Sequence, residues 1–359
     1  MPTVKDLVSY LEMIDRDKWY TNFGPRLCAF EDRLADHFNV QNKNITTVSS
    51  ATSGLSIALK AVSSDFKASS KNKRRTCLLP AWTFVASAQA IVEVGMDVLF
   101  CDVDPVTGAL TPQIVSEYLA IPSNPRPDVI MPVVPFGGTV KVVDWDALSV
   151  KAGIPVVIDA AASFYSLEPG DCPAVVSLHA TKAFGIGEGG AIISRDKNII
   201  QKARQFSQFG FVDGRVALSY GGNYKLSEYH AAVGLAQFDR IEGMKRRYSK
   251  VRKEYFAHFA TCENISSLPD EDMKVSSTLN IALDGKKANV VVKALRKKGI
   301  GASIWWEDHL YRNQLFNVLS AYNSFPVADM FYKTVVALPF STSLSEKDIL
   351  FVVNGIRSI

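Results

Sequence analysis

Lys182 lies in Ser177-Leu-His-Ala-Thr-Lys182-Ala-Phe-Gly-Ile-Gly-Glu-Gly-Gly190, with four glycines in the six positions after Phe184. Most lysines are solvated surface charges. One set in a tight turn among small and apolar neighbours is a candidate for a desolvated amine suited to imine formation. The glycines do not read as a dinucleotide loop, because G-x-G-x-x-G should open a helix and these lead into the strand-like Ala191–Ser194. Asp159 ends the apolar run Pro155-Val-Val-Ile-Asp159. Such an Asp can simply cap a helix or turn, but a carboxylate buried there wants a cationic partner, and a protonated pyridine nitrogen would serve. Ser49-Ser-Ala-Thr52-Ser53-Gly54 stands directly before a helical pattern. Its hydroxyls can cap the helix, and the free N–H groups with the macrodipole suit a phosphate as well. Pro80-Ala-Trp82-Thr-Phe84-Val-Ala places two aromatics after another strand-like run, as core or as cover for the face of a planar cofactor.

In chain order these are a phosphate cradle, an aromatic cover, a ring-nitrogen carboxylate and an imine lysine. Together they specify pyridoxal 5′-phosphate far better than any one does alone. The elements that must position them alternate. Ile45–Ser49, Thr76–Leu79, Val98–Asp102, Val129–Val134, Pro155–Asp159, Ala174–Leu178 and Ala191–Ser194 read as short strands. Leu55, Ala58, Leu59 and Val62 mark one helical face after the first. Several strands are apolar throughout, as when both faces are covered, which argues an α/β sheet with ligands at its carboxyl ends. Ser227–Met244 reads as one long helix and Arg246–Phe259 as another. Leu279–Leu283, Ala288–Lys298, Gly301–Trp306, Val335–Leu338 and Leu344–Ile359 then suggest a smaller α+β domain. The division expected is 1–245 and 246–359.

Composition narrows the class. The 359 residues are 47% apolar and 21% charged, a globular balance that excludes disorder. Forty basic against thirty-six acidic side chains leave +4, too slight to argue for nucleic acid. The basic stretch Lys67–Arg75 carries no interleaved aromatics and reads as a solvated loop. Cys28, Cys77, Cys101, Cys172 and Cys262 are scattered without a CxxC pair, so reduced thiols are expected, with neither disulfide nor zinc. No signal peptide and no membrane-spanning apolar run is visible, so a cytoplasmic enzyme is expected.

The chain resembles the DegT/StrS-type sugar aminotransferases, which are fold-type I pyridoxal-phosphate enzymes. The likeness rests on Thr21-Asn-Phe-Gly-Pro25, the segments quoted above, Gly221-Gly-Asn-Tyr-Lys-Leu-Ser-Glu228 with the helix after it, and Ala337-Leu-Pro339. It implies a large domain with a mostly parallel seven-stranded sheet flanked by helices and a small C-terminal α+β domain. By position it implies that Lys182 is the Schiff-base lysine and Asp159 the pyridinium partner. Phe84 would stack on the ring with Trp82 nearby, and Thr52, Ser53 and Ser177 would bind the phosphate. Asn223 would reach that phosphate from the partner subunit of a homodimer. L-glutamate would donate the amino group to a nucleotide-linked keto-sugar, for a surface polysaccharide such as lipopolysaccharide O-antigen or for an antibiotic.

Trp305, Trp306, His309 and Tyr311 lie where the family's small domain faces the site, as substrate contacts or as core. Arg215 and Lys225 could meet a diphosphate or pair on the surface. His179 and His230 read as packing or structural residues. Two positions depart from the family: Ala51 where glycine is usual, and Ala162 where Gln or His usually stands near the phenolic oxygen. Lys182 disfavours the dehydratase branch, which has histidine there. The competing readings are an aminotransferase for a free keto-sugar, keto-sugar acid or cyclitol ketone, and a non-catalytic cofactor-binding regulator. A nicotinamide dehydrogenase is more distant.

Overall fold

The computed structural model describes residues 1–64, 74–212, 214–262, 265–268, 275–307, 309–316 and 324–359. The expected strand-like runs form β1 (Ile45–Val48), β2 (Thr76–Pro80), β3 (Asp97–Cys101), β4 (Val129–Ile130), β5 (Ile158–Asp159), β6 (Ala174–Ser177) and β7 (Gly190–Ile193). Hydrogen bonds join them in two groups, β1-β7-β6-β5 and β3-β2-β4. Parallel bridges Ile130–Val156 and Val133–Asp159 link the groups. Among the described residues the order is therefore β1-β7-β6-β5-β4-β2-β3, with β7 antiparallel to both neighbours and the other pairings parallel. This is the mostly parallel seven-stranded sheet that the sequence led us to expect.

Both faces are covered. In β2, Leu78 joins one apolar core while Cys77 and Leu79 join another, and β6 divides Val176 from Val175 in the same way. This period-two alternation between two dry faces is why the strands read as unbroken apolar runs. The first core is closed by Leu27, Phe30 and Leu34 of the helix Pro25–His37. The second is closed by Leu55, Ala58 and Leu59 of the helix Ala51–Ser63.

A second, antiparallel sheet joins Ile265–Leu268, Leu279–Leu283 and Val335–Leu338. It shares a third core with Val251, Tyr255, Val291, Leu295, Ile349 and Val353 from three helices. The expected boundary near residue 245 falls inside the helix Ile241–Phe259. Between the two outer parts of the third core, the chain returns to the large sheet. Tyr311, Phe325, Phe331 and Tyr332 pack into the second core beside Phe100 and Trp82. Asp102 at the end of β3 accepts from Val327 and Ala328 N–H at 3.0 and 2.9 Å, and Tyr332 Oη donates to Ala81 O at 3.0 Å.

One helix expected over Ser227–Met244 is instead two, Glu228–Phe238 and Ile241–Phe259. The chain turns at Asp239, whose carboxylate is held by Tyr10 Oη at 2.7 Å and Arg33 at 3.5 Å. An apolar period running through the turn hides it from sequence reading. Of Lys67–Arg75, only Arg74 and Arg75 lie within the described residues, and Arg74 pairs with Asp97 at 3.1 Å. All five cysteines are free thiols. Among the described residues no helix is long and apolar enough to cross a membrane, and no cluster of His, Cys, Asp or Glu has metal-ligand geometry.

Candidate active site

The parallel strands β2, β5 and β6 lead into a cavity of about 370 Å³. Thr52, Phe84, Asp159, Ser177, Lys182, Trp305 and Trp306 all line it, together with Ala51 and Ala162. Residues from separate parts of the sequence thus meet where an α/β sheet places its ligand.

Asp159 ends β5 and is 5% exposed. Ser87 Oγ donates to its Oδ2 at 2.6 Å and Ala161 N–H to its Oδ1 at 3.1 Å. Burial pushes its pKa up, and these bonds with the Lys182 charge oppose that rise without cancelling it. A buried carboxylate short of counter-charge is the acceptor that a cationic ring nitrogen needs. Lys182 stands in the turn after β6, its N–H donating to His179 O at 2.9 Å. Ala180 N–H donates to Gly187 O at 2.8 Å, and Gly187 takes φ +105°, so the turn needs glycine there. Burial lowers the Lys182 pKa against the pull of Asp159, which favours the uncharged amine.

The hydroxyl segment divides its labour. Ser50 caps the helix Ala51–Ser63, accepting from Ser53 N–H at 3.1 Å, and Ser53 Oγ accepts from Ser50 N–H at 3.2 Å. Ser53 is buried in this capping box, while Ser50, Ala51 and Thr52 line the cavity with the helix start behind them. The cradle rests on Gly190 of β7: a Cβ there would stand 2.8 Å from Ala51 N and 2.9 Å from Ser50 C. Gly190→Ala is expected to push that turn outwards and weaken pyridoxal phosphate binding by about tenfold or more, about 1.4 kcal/mol. A cofactor titration of the apoprotein followed by absorbance measures this, and unchanged affinity would show that the cradle tolerates displacement.

The aromatics separate too. Phe84 is 51% exposed, before the helix Val85–Glu93, and lines the cavity. Trp82 is 2% exposed and packs behind the wall, with its ring 4.6 Å from Phe331 and 4.5 Å from Trp306. His309 lies outside the cavity lining, 3.3 Å from Asp329 and stacked on Tyr332 at 4.2 Å. Asn223 and Lys225 are outside it as well, joined by a 2.6 Å bond, with the ammonium 4.8 Å from the Phe209 ring. Arg215 is exposed. His179 lines the cavity, its Nδ1 2.9 Å from Thr181 Oγ1 and its Nε2 3.5 Å from Glu188. His230 is tied to the cap residue Ser227 at 2.9 Å.

Two features, one behind the cavity wall and one in it, escaped the sequence reading. Ser87, the hydroxyl on Asp159, is one helical turn beyond Phe84, a spacing that offered a signal. Phe136 lines the cavity at φ +53° while 6% exposed. Such a conformation costs on the order of 1–3 kcal/mol for a bulky side chain. Only the following Gly137-Gly138 hinted at a turn.

Comparison with known proteins gives these residues a context. The family model for the DegT/DnrJ/EryC1/StrS aminotransferases matches residues 3–357. The chain belongs to the DegT/DnrJ/EryC1/StrS aminotransferase family. It is 30% identical to protein Rv3402c of Mycobacterium tuberculosis H37Rv, over 99% of this chain and 87% of that one. It is 27% identical to the dTDP-4-amino-4,6-dideoxy-D-glucose transaminase of Shigella dysenteriae, over 77% of this chain and 73% of the relative. A Bacillus cereus ATCC 10987 protein assigned as a PLP-dependent aminotransferase superposes with a TM-score of 0.86 at 25% identity, covering 99% of this chain and 97% of that one.

Membership makes this chain a pyridoxal-phosphate-dependent aminotransferase, and the cavity's donors fit that cofactor. Asp159 is an acceptor short of positive charge, Lys182 an amine biased towards its neutral form, and Ser50 and Thr52 flank a helix start. The family's Gly-Asn-Tyr-Lys-Leu-Ser-Glu segment also gains a physical account. Tyr224 O accepts from Ser49 N–H at 2.7 Å, bracing the cradle. Buried Glu228 accepts from Arg26 and Leu27 N–H at 2.7 and 3.0 Å, capping the helix Pro25–His37.

Proposed function

We propose that this chain moves the amino group of L-glutamate to a nucleotide-linked keto-sugar by ping-pong transamination. The observation that carries the chemistry is a desolvated amine and a desolvated carboxylate, Lys182 and Asp159, in one cavity beside a hydroxyl-lined helix start. Pyridoxal phosphate, when bound, supplies an aldehyde for amine exchange and a ring that withdraws electrons. Lys182 would hold it covalently. Once displaced by the donor, the Lys182 amine would take the proton from the donor's α-carbon and deliver it to the former aldehyde carbon, two atoms along across the nitrogen. Asp159 keeps the ring nitrogen protonated, held in place by Ser87 and Ala161. Thr52, Ser177 and the helix start bind the phosphate, with Ser53 shaping the turn, and Phe84 covers the ring.

The Shigella relative's nucleotide-sugar name supports the sugar as acceptor, as do Trp305 and Trp306 in the cavity wall. The reading extends to a homodimer in which Asn223 of one chain completes the phosphate site of the other. Two observations support it: Asn223 and Lys225 lie off their own chain's cavity, and Trp19, Tyr20, Phe209, Leu218, Tyr220 and Tyr229 stand exposed. It also extends to a cytoplasmic site of action, because phosphorylated substrates do not cross membranes unaided.

The test begins with purified protein carrying its coloured cofactor. L-glutamate is expected to bleach it, and nucleotide-linked keto-sugars to restore the colour where free ketoses do not. A preparation indifferent to every amino donor would leave a cofactor-binding regulator in its place.

A further inference from the structure

We propose that Phe136 is a specificity-determining residue, forming with Trp306 an aromatic wall that takes the carbon–hydrogen face of the acceptor sugar. This rests on the keto-sugar reading above and adds where that ring lies. The Phe136 and Trp306 rings stack at 4.6 Å and 20°. The Trp82 ring closes the pair from behind, 5.5 Å from Phe136 and 4.5 Å from Trp306.

A buried phenylalanine at φ +53° persists only where its surroundings hold it, and such positions gather at functional sites. Two anchors hold this one. Ser276 Oγ donates to Phe136 O at 2.8 Å within the protein. On the other side Val134 N–H donates to Asp159 O at 2.9 Å, so the loop bearing Phe136 is tied at its start to the strand that places the ring-nitrogen carboxylate. The aromatic wall is thereby fixed relative to the reacting ring.

The lining chemistry selects the occupant. The ionisable side chains of the lining, Asp159, His179, Lys182 and Glu188, come from other segments, and Phe136, Trp305 and Trp306 themselves offer only aromatic surface. Ser277 and Thr278 present polar groups beside the aromatic rings. A pyranose has that dual character, apolar C–H bonds across one face and hydroxyls at its rim, and aromatic faces accept the former. An open-chain amino donor offers no such face. The wall therefore discriminates in the sugar half-reaction rather than the glutamate half-reaction.

The experiment compares Phe136→Leu and Phe136→Tyr holoenzymes, with dTDP-4-amino-4,6-dideoxy-D-glucose or L-glutamate as amino donor in single-turnover bleaching. For Phe136→Leu, the loss of kcat/KM with the nucleotide sugar should exceed the loss with L-glutamate by about tenfold or more, the worth of a good apolar contact. Phe136→Tyr should recover most of it. Calorimetric binding of the nucleotide sugar to enzyme already aminated by L-glutamate should weaken by a similar factor in Phe136→Leu. If Phe136→Leu does not fold, Trp306→Leu must show the same split. Equal losses in both half-reactions, or no loss with the sugar, would overturn the assignment. A wild-type enzyme bleached by L-glutamate but by no nucleotide sugar would instead sink the keto-sugar reading beneath it.

Discussion

Lys182→Ala is expected to lose covalent attachment of the cofactor and nearly all turnover. Two roles vanish with one side chain, the anchoring amine and the base that moves the proton. A positioned base alone contributes roughly 10²–10⁴-fold, so with the anchor gone a fall of at least about 10⁴-fold follows. Borohydride reduction with peptide mass mapping should find a pyridoxyl group at Lys182 in the parent and none in the variant. An adduct on another lysine, or retained turnover, would remove Lys182 from the centre of the chemistry. The variant also has a signature in stability. Burial lowers the Lys182 pKa from its ordinary 10.5, so the folded protein binds fewer protons there than the unfolded chain. Between the lowered value and 10.5 the parent apoprotein should therefore gain stability as pH rises. Lys182→Ala should lose that slope.

Asp159→Asn separates function from stability in opposite directions. The amide keeps the shape and can still accept from Ser87, but it cannot balance a protonated ring nitrogen. Turnover should fall roughly 10²–10³-fold, the scale of losing one preorganised electrostatic group, and cofactor affinity should fall with it. In the apoprotein the sign reverses. The folded pKa of Asp159 lies above its ordinary 3.8, so its favourable contribution is complete below about 3.8 and is lost as pH rises through the raised value. At neutral pH the cofactor-free parent thus bears the cost of burying this acid away from counter-charge, a cost that Asp159→Asn lacks. Urea unfolding should find the apo variant at least as stable as the apo parent at pH 7, with the gap closing on acidification. With cofactor bound, the order should invert. A less stable apo variant at pH 7 would mean that Ser87, Ala161 and Lys182 already satisfy the carboxylate.

What could be read before the fold was known follows from where the physics is local. Lys182 and Asp159 were legible because covalent and charge chemistry demand particular residue types beside apolar runs, and both run and residue are visible in the chain. The sheet was legible because β2 and β6 bury both faces and so carry no polar alternation. Trp82 and Phe84 could be located but not told apart. Two positions separate them, yet Phe84 is exposed to the cavity while Trp82 lies beneath the wall. That difference comes from Phe331 and Trp306, more than two hundred residues away in sequence. Phe136 was hidden for the same reason, since Ser276 and Trp306 hold its backbone conformation. The turn at Asp239 depends on Tyr10 and Arg33, which no local pattern announces.

The return of the chain from the small antiparallel sheet to the large one has a practical corollary for dissection. Tyr311, Phe325, Phe331 and Tyr332 are buried against Phe100 and Trp82, and Asp102 holds the start of the helix Pro326–Thr334 that bears the last two. A fragment cut near residue 245 would carry these rings away from the surface that hides them. Each half expressed alone would expose a greasy scar and tend to clump, whereas the two halves mixed during refolding could re-form the seam. The natural unit of inheritance here is the whole polypeptide, because its second and third hydrophobic cores are stitched by a thread that passes between them more than once.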